Sequence, residues 1–192
     1  LAIYYFLKEK WVLSAIFTAS IFYLHIGVAI WWFVPSCFAL GITFLIKNKL
    51  VTLVDIAKYS FTVAFLASPI LYYYVEATQY NVMSDFTTRF YYGINNSILL
   101  NLVYEPKVLI MLMITIGVFT VGYIKWKDEG GSNDYILPIA LGVLIVYVLD
   151  FVLVDVIFNG TAMKMQLLRS RINVEIFASL FFAFLISRQL RK

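Results

Sequence analysis

Among the 192 residues of this chain there is one cysteine and one histidine. Cys37 alone can form no internal disulfide, and with His25 as the sole imidazole, cysteine-rich and multi-histidine metal sites are excluded. Charge is scarce as well. Asp, Glu, Lys and Arg make up 14% of the residues, against roughly a quarter in a soluble domain. The chain has no Walker pattern, no GxSxG, no HExxH and no CxxC, so the common nucleotide, serine-hydrolase, zinc and dithiol chemistries have no foothold. No cofactor is implied. A cleavable signal peptide, an internal repeat and a low-complexity tract are missing too. The first residue is Leu, not Met, and the chain reads as one transmembrane domain (1–192) cut from a longer membrane protein.

What is present is apolar: 62% of the residues are hydrophobic and 18% aromatic. A soluble fold could not hide that much apolar surface, so the expected solvent for most of the chain is lipid. The net charge of +4 suits basic cytoplasmic loops and argues for no nucleic acid. The expected class is all-α, a polytopic membrane bundle of about six transmembrane helices plus a re-entrant or interfacial helix.

Residues 1–10 form an aromatic segment ending in Lys8 and Lys10. From Trp11 to Ile46 runs an apolar stretch of 36 residues, too long for one crossing, since about 20 span the hydrocarbon. A turn near His25–Gly27 divides them into helices over 11–26 and 28–46, in preference to a break at Pro35. Trp31 and Trp32 then fall near a membrane interface, where indole rings are favoured. Residues 50–58 read as an interfacial lead-in to a third span over 59–75, whose Pro69 is tolerated if a neighbouring group satisfies the freed carbonyl. The stretch 94–104 is too short to cross and reads as the re-entrant or surface helix. Pro106 opens a fourth span over 107–124. The loop KDEGGSND leads to a fifth over 135–158, and the turn Asn159-Gly160 to a last helix over 161–189. Without Gly or Pro, that helix would run unbroken for roughly 40 Å.

Six spans place both termini on one side. Lys8, Lys10, Lys47, Lys49, Lys58, Lys125, Lys127, Arg188, Arg191 and Lys192 share it. Arg89, Lys107, Lys164, Arg169 and Arg171 take the other. The bias predicts N- and C-termini in the cytoplasm, in a bacterial inner membrane.

Chemistry concentrates between Asp150 and Glu175. Lys164, Arg169 and Arg171 oppose the insertion bias, and in a continuous helix Gln166, Arg169 and Asn173 share one face. A guanidinium flanked by amides suits phosphate. The plainer reading pairs Arg171 with Glu175 and leaves Lys164 and Arg169 against lipid headgroups. Asp150 falls deep in the fifth span, where a carboxylate faces the bundle interior and carries a proton, contacts substrate or pairs with a neighbour. Asp155 should reach the interface near Arg169. Five residues on a regular helix separate the two aspartates by roughly 140°, so they are not expected to share a face. His25, at the hairpin tip, is a ligand contact, a proton donor or simply a polar turn residue. Asp85 and Arg89 read as a local ion pair.

The hairpin FYLHIGVAIWWFVPSCFALGITFLI and the later MKMQLLRSRINVEIFASLFFAFL resemble parts of bacterial glycosyltransferase-C-like membrane proteins. The residues carrying the likeness are His25, Gln166 and Arg169. The resemblance implies the C-terminal membrane portion of such a protein, handling a polyprenyl-phosphate-linked sugar or another anionic lipid at the outer leaflet. Arg169, Gln166 and Lys164 would bind the phosphate, and Asp150 or Asp155 would orient the substrate. The acidic first outer loop of that family has no counterpart here. A transporter using Asp150 as its coupling carboxylate and a non-catalytic membrane subunit stay open beside it, as does the oligomeric state.

Overall fold

The computed structural model describes residues 1–46, 51–80, 106–157 and 167–190. Among them the only regular structure is helical: α1 (Ala2–Leu7), α2 (Trp11–Leu24), α3 (Ile26–Ile46), α4 (Leu53–Tyr80), α5 (Pro106–Asp128), α6 (Ile136–Asp150) and α7 (Ile172–Leu190). A π-helical segment (Phe151–Val156) prolongs α6, and a 3-10 segment (Leu167–Arg171) leads into α7. Five helical stretches are long and apolar enough to cross a membrane. The sequence led us to expect about six; α2, apolar but shorter, has 14 residues and rises only about 21 Å. The expected re-entrant stretch 94–104 and the Asp85–Arg89 pair lie outside the described residues.

The directions of the helices follow from their contacts. Thr18 meets Tyr59 and Tyr23 meets Leu66, so α2 and α4 pack directly and run the same way, while α3 turns back after the break at His25. Phe119 and Tyr123 of α5 pack on Phe181 of α7, and further along the same two helices Lys125 and Arg188 line one cleft. These two are therefore also parallel. The result is a bundle with two distinct ends. One carries the His25 hairpin tip, the end of α6 and the start of α7. The other carries Lys10, Lys58, Lys125, Lys127 and Arg188, tied by the Arg188–Glu129 (2.7 Å) and Lys127–Asp134 (3.4 Å) pairs.

Proline placement shows how lipid solvent disciplines the backbone. Each proline inside a helix lacks the N–H that would bond the carbonyl four residues back, and in hydrocarbon that carbonyl needs another donor. Pro69 frees the Phe65 carbonyl, and Ser68 Oγ donates to it at 2.8 Å. Pro35 does not break the hairpin helix but sits inside α3. It frees the carbonyl of Trp31. Residues 53–58 are no separate lead-in but the first turns of α4: Thr52 and Asp55 cap it reciprocally, with Thr52 N–H donating to Asp55 Oδ2 (3.0 Å) and Asp55 N–H to Thr52 Oγ1 (3.2 Å).

The core is built on aromatic rings from the short α1. Phe6 is fully buried and meets Trp11, Trp32, Tyr59 and Tyr135 edge to face at 5.3–5.9 Å. A buried hydroxyl cluster lies beside it. Trp32 Nε1 donates to Thr18 Oγ1 at 3.1 Å. Tyr59 Oη lies 2.8 Å from Ser36 Oγ and 3.3 Å from Thr18 Oγ1. Both of those hydroxyls already donate to backbone carbonyls, so Tyr59 supplies the proton. Trp31 and Trp32 are both buried against the bundle.

Candidate functional site at the hairpin end

The site is built on Trp31. At the start of α3, His25 leaves the helical conformation (φ −162°, ψ 101°). Its Nδ1 accepts a hydrogen bond from the Val28 backbone N–H at 3.3 Å, capping α3 and leaving the other ring nitrogen directed away from that cap. The imidazole lies 6.1 Å from the Trp31 ring, tilted by 46°. On the same indole sits Arg169, its guanidinium carbon 5.5 Å from a ring centroid. Two of the residues singled out in the sequence, His25 and Arg169, are therefore brought together, although 144 positions separate them in the chain.

The side chain that fixes this arrangement is Asn173. Its Nδ2 donates at 2.7 Å to the Trp31 carbonyl, the one left open by Pro35, and at 3.0 Å to the carbonyl of Ser170. Asn173 is buried, whereas Arg169 is exposed. Arg169 and Asn173 thus do not share one polar face. Residues 167–171 are a 3-10 turn ahead of α7, and the tighter winding turns Arg169 and Asn173 to different surroundings. Gln166 and Lys164 lie outside the described residues. Arg171 pairs with Glu175 at 3.2 Å, as the plainer reading expected. No carboxylate among the described residues forms a salt bridge with Arg169.

Asp150 ends α6 facing the bundle interior. It is fully buried, and neither of its oxygens has a hydrogen-bond partner; the same holds for the hydroxyl of buried Ser170. Directly after it the helix widens. In the π segment the N–H of Ile157 bonds the Val152 carbonyl at 2.9 Å, five residues back. The wider turn winds less per residue than a regular helix. Asp155, within the π segment, therefore comes closer to the Asp150 side than the regular helical period predicts. Asp155 itself is half-buried. Sequence reasoning missed Ser170 and the role of Trp31. The one available signal was Pro35, which announces a carbonyl in need of a donor.

Chemically, the arrangement offers an exposed guanidinium over an indole that an imidazole also approaches, with an apolar bundle beneath. Such a fork keeps its in-plane N–H groups available to a planar or tetrahedral oxyanion. No group of three or more metal-ligating side chains occurs among the described residues. No family model, curated protein or solved structure matches the chain.

Proposed function

We propose that this multi-pass membrane protein binds the phosphate of an anionic lipid at its hairpin end, with Arg169 as the anchoring cation and Trp31 and His25 as its platform. One observation carries the reading: the Arg169 guanidinium lies on the Trp31 face, is exposed, and has no salt-bridged carboxylate among the described residues. Charge supports its orientation. Among the described residues Lys8, Lys10, Lys58, Lys125, Lys127 and Arg188 belong to one end, against Lys107, Arg169 and Arg171 at the other. That bias puts the lysine end in the cytoplasm and the Arg169 site at the outer leaflet. A polyprenyl phosphate carrying a sugar is the ligand proposed, which makes the protein glycosyltransferase-like in what it handles. Gln166 and Lys164 would add donors. The test is binding of a polyprenyl phosphate to the protein in nanodiscs, comparing wild type with Arg169→Ala and Arg169→Lys. Loss of a charge-assisted, forked contact should weaken binding by about tenfold to a hundredfold in the alanine variant. Lysine should recover only part of it. Equal affinity in all three discards the reading.

A further inference from the structure

Asp150 is not needed for the Arg169 site, and its surroundings point elsewhere. The carboxyl group is fully buried with both oxygens unpartnered. Among the described residues, the elements packed against α6 bring few groups that could neutralise a charge there. α3 contributes no charged residue and one thiol, Cys37. The 3-10 segment contributes Arg169, engaged with Trp31, and Arg171, engaged with Glu175 of α7. On its own helix Asp150 has Tyr147 one turn behind and Asp155 in the π segment ahead, and the latter adds a second negative charge. An ionised carboxylate without a cation in an apolar interior is several kcal/mol uphill, and the usual remedy is to bind a proton. A second buried hydroxyl without a hydrogen-bond partner, Ser170 Oγ, lies on the segment packed against α6.

We infer that Asp150 and Asp155 form a proton-binding pair at the membrane-buried end of α6. Asp150 holds the proton inside the bundle, and half-buried Asp155 sets the pH at which it is released. Loading moves one proton from water to an Asp150 oxygen; unloading returns it, with no other bond made or broken. The inference does not rest on lipid binding by Arg169 and survives if that binding fails.

N,N′-dicyclohexylcarbodiimide, which adds to protonated carboxylic acids in apolar sites, tests it on the full chain in nanodiscs, with adducts mapped by mass spectrometry. An adduct on Asp150 should form at about pH 6 and fall about tenfold or more by about pH 9. In Asp155→Asn the pH at which the adduct is lost should shift, because the neighbouring carboxyl group is gone. Should that variant misfold, the infrared difference spectrum of the wild type over the same pH range supplies the second readout. A protonated-carboxyl band should disappear on raising the pH. It should be missing in Asp150→Asn. Failure of Asp150 to react or to show that band at about pH 6 overturns the proton site. A release pH unchanged in folded Asp155→Asn overturns the pairing.

Discussion

Asn173 donates its amide to the carbonyl of Trp31 at 2.7 Å across 142 positions of sequence. That carbonyl is open only because Pro35, four residues further along α3, has no N–H to fill it. A defect in one helix is thereby repaired by the first turn of another. The repair holds the indole on which Arg169 rests.

Asn173→Ala should leave the Trp31 carbonyl buried and unpaired, destabilising the protein by about 1–3 kcal/mol. It should also weaken lipid-phosphate binding, since Arg169 loses a fixed platform. Restoring the helical N–H with Pro35→Ala should make the double variant less destabilised than the sum of the two singles. Thermal unfolding in detergent measures all three; strict additivity would show that the two residues are not coupled.

The approach of α6 to α3 depends on Gly142. A Cβ there would stand 2.5 Å from the Pro35 carbonyl oxygen, and one at Gly122 would collide with Phe181. Gly142→Ala and Gly122→Ala should each lose about 1–3 kcal/mol. Gly117→Ala is the control. A Cβ at Gly117 meets nothing within 4 Å, and this variant should unfold at or above the wild-type temperature.

Tyr59→Phe keeps the buried ring and removes the hydroxyl that serves Ser36 and Thr18. Tyr59 has one proton to give, and hydrogen bonds between membrane helices average about 0.6 kcal/mol, so a loss of that order is expected. Equal stability in an unfolding titration would show that this cluster adds nothing.

The proposed orientation is open to direct measurement. In a Cys37→Ser background, Leu24→Cys lies at the exposed hairpin tip and Asp128→Cys at the lysine end. A membrane-impermeant maleimide added to intact cells should label Leu24→Cys and spare Asp128→Cys until the membrane is opened. The reverse pattern would place Arg169 in the cytoplasm and remove the outer-leaflet reading.

Much of this architecture was legible in composition and local pattern. Apolar content selects lipid as solvent, and lipid demands helices that satisfy their own backbones. The hairpin break at His25, the harmless Pro69 and the Arg171–Glu175 pair all follow from residues within four positions of one another. Packing decided the rest. That Trp31 and Trp32 are buried against the bundle, that Arg169 meets His25 on one indole and that Asn173 answers Pro35 depend on partners supplied by distant helices. The π turn that brings Asp155 closer to the Asp150 side breaks the regular period on which their predicted separation relied. Short-range hydrogen bonding and periodicity are written residue by residue, whereas the partner of a freed carbonyl or a buried carboxyl exists only once helices far apart in sequence have been pressed together.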